Sequence, residues 1–112
     1  MEKFVKGDVV VVPFPFSDLT QTKRRPALVI TVLKGDDLIL CQITSKDVRD
    51  DYAIRLKQND FLNGALTVES NIRPNRLFTA DKAIILYKIG HLNNAKIQEV
   101  TEEIISLIRG QA

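Results

Sequence analysis

Apolar positions along the chain fall into short, dense runs separated by polar stretches, a spacing that favours strands over most of the length. The first run, Val9-Val10-Val11-Val12, is opened by Gly7-Asp8 and closed by Pro13. Its β-branched residues are continuous rather than alternating, which predicts a strand buried on both faces. Phe14-Pro15-Phe16 is expected to break the ladder, because proline has no N–H to donate. Residues 17–25 are polar, finish in Lys23-Arg24-Arg25, and read as a loop. Residues 26–33 and 38–44 are two further apolar runs joined by the turn-forming Lys34-Gly35-Asp36-Asp37, the pattern of a hairpin. Tyr52, Ile54 and Leu56 alternate with Ala53 and Arg55 as a short strand does. Asn63-Gly64 is a turn signal; residues 65–72 predict a strand ending at Arg73-Pro74, and residues 83–89 a last one ending at Gly90.

The period then changes. Ile97, Val100, Ile104, Leu107 and Ile108 share one face of a helix, with Gln98, Glu99, Glu102 and Glu103 opposite. Asn93 or Asn94 suits its start and Gly110 its end. The sum is an α+β, β-dominated domain: a small antiparallel barrel with one C-terminal helix.

Composition narrows what such a domain can do. At 112 residues the chain is expected to form one domain spanning residues 1–112. A lone Cys41 makes no internal disulfide, and with only His91 beside it a Cys/His zinc site within one chain is excluded. Nucleophilic routes through Ser-His-Asp or Cys-His would all have to use His91, which follows Gly90 near the helix start and reads as a surface or capping residue. Sixteen Lys+Arg against fourteen Asp+Glu leave +2, so clustering matters more than net charge. The first residues carry Glu2 and no signal-like apolar run follows, nor does any run approach the ~20 residues that span a bilayer. The expectation is a cytoplasmic protein with no membrane contact.

Local clustering points to the start of the second strand. Arg25 precedes Pro26, which biases its backbone to the extended region and partly fixes its direction. A guanidinium held in this way suits a bidentate phosphate contact. A hairpin across Gly35 sets the end of the third strand beside the start of the second, and so Thr44 beside Arg25. A hydroxyl and a guanidinium side by side can hold an oxyanion or a phosphate. Arg73-Pro74, preceded by Glu69-Ser70-Asn71 and followed by Arg76, is a second polar cluster at a strand end. Cys41 reads as a small core residue.

The run Gly7-Asp8-Val9-Val10-Val11-Val12-Pro13-Phe14-Pro15-Phe16, then Lys23-Arg24-Arg25-Pro26-Ala27-Leu28-Val29-Ile30, resembles the MazF/PemK-like toxins of type II toxin–antitoxin systems. Gln42-Ile43-Thr44-Ser45 and Val68-Glu69-Ser70-Asn71-Ile72-Arg73 match further family segments in the same order. The resemblance covers essentially the whole chain and implies a small SH3-like barrel. It also implies a homodimeric, metal-independent endoribonuclease, without cofactor, that cuts single-stranded mRNA at short specific sequences and is neutralised by a cognate antitoxin protein. In that family the ribose 2′-oxygen attacks the adjacent phosphorus, leaving a 2′,3′-cyclic phosphate and a 5′-hydroxyl.

The catalytic positions the resemblance implies are Arg25 and Thr44, in agreement with the hairpin geometry. The nucleophile belongs to the RNA, so the enzyme need only align it and stabilise the charge growing on the phosphorane oxygens. A guanidinium keeps its proton, which makes Arg25 a charge stabiliser rather than a base, with proton donation to the leaving 5′-oxygen as an additional role. Glu69 is the candidate acid or base, the alternative being water. Several family members carry a glutamate or histidine before the Arg-Pro motif, whereas residues 18–22 here offer only Asp18. RNA contacts are expected from Phe14, Phe16, Gln21, Thr22, Lys23, Arg24, Ser45 and Arg73 through stacking, base edges and phosphates. Rival readings are a non-catalytic toxin of the same fold, like the CcdB-type gyrase inhibitors that act by protein–protein contact, and an RNA-binding barrel that does not cut.

Overall fold

The apolar runs pair along the chain into seven strands: β1 (Asp8–Pro15), β2 (Thr22–Val32), β3 (Asp37–Thr44), β4 (Ile54–Leu56), β5 (Phe61–Gly64), β6 (Ser70–Asp81) and β7 (Tyr87–Leu92). Among the described residues a single α-helix, α1 (Asn94–Arg109), follows. The computed structural model describes residues 3–15, 22–48 and 50–111. Every pairing is antiparallel, in the order β4-β6-β3-β2-β1-β7-β5. The sheet curls into a half-barrel whose edges, β4 and β5, are not paired with each other.

Successive residues of β1 enter different cores, as its unbroken apolar run predicts. Val9 packs with Leu28, Cys41, Ile43, Ile72 and Leu92, and α1 closes this cluster with Val100 and Ile104. Val10 and Val12 lie on the opposite face with Ala27, Val29 and Leu40, covered by Phe14 and Phe78 in edge-to-face contact, centroids 5.1 Å apart. Burial of each such aliphatic side chain contributes about 1.5–3 kcal/mol, so the sheet is fixed from both sides. Asn93 caps α1 by accepting the Lys96 N–H at 2.8 Å, and Gly110, at φ 73°, ends it in the left-handed conformation.

Three boundaries differ from the sequence reading, and one strand was not expected: Asn63-Gly64, read as a turn, ends strand β5 and pairs with His91 and Gly90 of β7. The ladder does not break at Phe14-Pro15: β1 continues to Pro15, and β2 begins at Thr22, so 22–25 is strand rather than loop. Pro13 and Pro15 are in phase with Val11, whose carbonyl accepts from Leu86 on the β7 side. Their missing N–H groups therefore face the side where β7 has stopped pairing, and the β2 ladder loses nothing.

β6 begins at Ser70 instead of ending at residue 72, and it runs through Arg73-Pro74 to Asp81. Gln42 pairs with Arg73 and Cys41 with Leu77, which leaves Pro74, Asn75 and Arg76 bulged out of the ladder. The third difference is at β7, which passes through Gly90 to Leu92, while Lys82–Ile84 forms a 3₁₀ turn. A Cβ at Gly90 would lie 2.6 Å from the Asn63 carbonyl oxygen, so glycine there admits the edge strand β5 rather than ending β7.

Candidate functional site

Where β2 begins and β3 ends, the hairpin register has Ala27 opposite Gln42 as its last pair. Continued by two residues, that register sets Arg25 opposite Thr44, and both line one open cleft of about 450 Å³. Arg73 reaches the same cleft from β6, and Lys46, Asp47 and Asp50 line it from the loop after β3. Arg25 from β2, Arg73 from β6 and Lys46 from the loop thus line one cleft together with Thr44.

The loop is tied to the strands at its base. Thr44, almost fully buried, accepts the Lys46 N–H with Oγ1 at 3.2 Å, and the Asn71 amide of β6 donates to the Lys46 carbonyl at 3.1 Å. Asp50 accepts the Tyr52 and Ala53 N–H groups at 3.0 and 3.1 Å through Oδ1, closing a turn. Its Oδ2 takes the Arg73 guanidinium at 3.0 Å and lies 3.4 Å from the Asn75 amide. Desolvation raises the Asp50 carboxyl, but the Arg73, Tyr52 and Ala53 donors and the Arg73 charge outweigh it and hold the group below the usual carboxylate range. With its oxygens committed to four donors, Asp50 is a weak base. Asp47 forms no ion pair with the described residues.

Behind the cleft, the Cys41 thiol donates to the Arg73 carbonyl at 2.8 Å, and burial pushes the thiol up to about 12. It is packing and a main-chain tie, in keeping with a small core residue, and no nucleophile.

Other sequence candidates lie elsewhere. Glu69 is not in the cleft: it sits just before β6, on the β4 side, and pairs with Arg55 at 2.8 Å. Both partners are more than half exposed, so that pair is a surface ion pair of small energetic weight. Phe14 packs on Phe78 in the second core instead of offering a free face for stacking. Lys23, Arg24 and Ser45 are exposed flanks of the cleft rather than its lining. Phe16 and Gln21 lie outside the described residues, as does the side chain of Thr22. His91 is no helix cap; its Nδ1 meets the buried Asp8 carboxylate at 2.8 Å at the β1–β7 pairing. Sequence reasoning missed Lys46, Asp47 and Asp50, although a dense charge run directly after Thr44-Ser45 was a usable signal.

A half-barrel of seven antiparallel strands, closed by one helix and bearing a cationic cleft at the β2–β3–β6 corner, defines a small β-dominated class of protein. The chain belongs to the PemK-like, MazF-like toxins of type II toxin–antitoxin systems, a family that matches it over residues 5–108. Its fold is similar to that of an endoribonuclease from mycobacterial species in complex with its cognate antitoxin, at 10% identity over 98% of each chain, with TM-score 0.73. It is also similar to MazF in MazE-MazF from Deinococcus radiodurans, at 17% identity over 96% of this chain and 97% of that one, TM-score 0.72. A MazF structure from the same organism gives 20% identity over 97% and 99%, TM-score 0.71. No curated protein matches the chain significantly by sequence.

Proposed function

We propose that the chain is an endoribonuclease toxin that cleaves single-stranded mRNA at specific sequences without a metal and is silenced by a cognate antitoxin. The observation that carries this reading is the convergence of Arg25, Thr44 and Arg73, from three strands, in one open cleft. In the reaction the RNA 2′-oxygen bonds to the adjacent phosphorus and the bond from phosphorus to the 5′-oxygen breaks. Negative charge builds on the non-bridging oxygens, which Arg25 and the Thr44 hydroxyl are arranged to receive. Asp47 replaces Glu69 as the carboxylate to take the 2′-hydroxyl proton. Lys46 supplies the proton for the 5′-oxygen, since an ammonium releases one more readily than a guanidinium does. The products are a 2′,3′-cyclic phosphate and a 5′-hydroxyl. With this function we infer a homodimer working in the cytoplasm.

Incubating the purified protein with a long single-stranded RNA in excess chelator, and mapping the ends, tests the reading. Discrete cuts bearing 5′-hydroxyl ends are expected. Arg25→Ala should lower the rate by about 10²–10³, the usual cost of removing one transition-state donor, and Thr44→Ala should lower it less. Absence of discrete cuts across varied sequences would sink the nuclease assignment, and undiminished cutting by both variants would refute the site.

A further inference from the structure

We propose that Asp50 is a positioning residue for RNA binding, holding the Arg73 guanidinium in the cleft as a grip for a phosphate next to the scissile one. The proposal rests on the RNA-cleaving reading of the cleft and extends it to a residue that no motif marks. Arg73 stands on β6 immediately before the bulge at Pro74, Asn75 and Arg76, where the ladder no longer constrains the chain. What fixes the fork is Asp50, at 3.0 Å, in a pair whose side chains are only 20% and 25% exposed. A partly desolvated pair of this kind holds its geometry better than the open Arg55–Glu69 pair does. Asp50 is itself immobilised, because Oδ1 closes the turn to Tyr52 and Ala53 while Oδ2 faces Arg73 and Asn75.

The carboxylate engages one terminal nitrogen of the fork, Nη2, while Nε is buried out of a ligand's reach, so the N–H groups left to face the cleft are those of the terminal nitrogens. Donors therefore remain for a second anion. A phosphate is the natural one, since a guanidinium offers it paired N–H groups in a plane. The lowered Asp50 carboxyl keeps the clasp charged at neutral pH.

Two variants separate positioning from folding. Asp50→Asn and Asp50→Ser both keep an oxygen for the turn N–H groups, and both remove the charge that faces Arg73. Binding is measured with a mixed-sequence 2′-O-methyl RNA, which lacks the nucleophile and cannot be cut, and turnover with unmodified RNA. Each variant should weaken binding about tenfold, the cost of a charged hydrogen bond, and raise KM with kcat within about twofold. The slope of log affinity against log salt should become shallower by about 0.7, one phosphate contact on a single strand. Arg73→Ala should do the same, and adding Asp50→Asn to it should change nothing further.

An unchanged salt slope in a folded Asp50 variant, or a further loss in the Arg73→Ala background, would overturn the proposal. Wild-type protein that binds the 2′-O-methyl RNA but cuts nothing would refute the nuclease reading, while the salt slopes still decide the role of Asp50. Wild-type protein that does not bind it overturns the role of Asp50, and the nuclease reading falls with it if unmodified RNA is also left uncut.

Discussion

Arg73 is held at both ends, by Asp50 at its guanidinium and by the Cys41 thiol at its main-chain carbonyl. The second tie has a consequence for stability. Burial raises the Cys41 thiol from 9.0 to about 12, so the folded chain keeps the proton over a range where the unfolded chain loses it. The contribution is whole below pH 9 and is lost as pH rises toward 12, with a slope of at most about 1.4 kcal/mol per pH unit. Urea unfolding at successive alkaline pH values should therefore show the native chain losing stability faster than Cys41→Ala, whose neutral side chain cannot ionise. Parallel curves would show that burial does not hold the thiol protonated. Alkylation of Cys41 at pH 8 should likewise require unfolding.

At the scale of elements, the helix is the clearest case of local sequence deciding structure. Asn93 and Asn94 are both chemically able to cap, but only Asn93 accepts the Lys96 N–H, while Asn94 is the first helical residue. Asn93→Ala should cost about 1 kcal/mol in denaturant unfolding, and Asn94→Ala should cost little; the reverse order would misassign the cap. The first three strands and the helix were readable because a dense apolar run, or a helical period, is visible without tertiary context, whereas β5 was hidden by the turn signal of Asn63-Gly64. β6 was not, since Ser70–Asp81 is largely polar, contains Pro74, and owes its position to long-range pairing with β3 and β4. The Arg25–Thr44 juxtaposition followed from one hairpin register. The place of Lys46 and Asp50 did not, because their loop is pinned by Asn71 and Arg73, which lie 25 and 23 residues further along the chain.

For the molecule as a whole, a net charge of +2 is too small to draw RNA by itself, so any affinity must come from where the cations sit. Arg25, Lys46 and Arg73 line the cleft, whereas Lys6 and Lys34 are exposed outside it. Three phosphate contacts on a single strand would give a slope of log affinity against log salt of roughly −2, at about −0.7 for each. Neutralising Lys6 and Lys34 together lowers the net charge to zero, the same change as removing two cleft cations. If net charge governed binding, Lys6→Gln with Lys34→Gln would weaken it as much as Arg25→Ala with Lys46→Ala. If local contacts govern it, the outer pair should leave the slope at its native value and the cleft pair should reduce its magnitude by about 1.4. Equal losses in the two double variants would place the RNA on a diffuse surface and remove the cleft as its binding site.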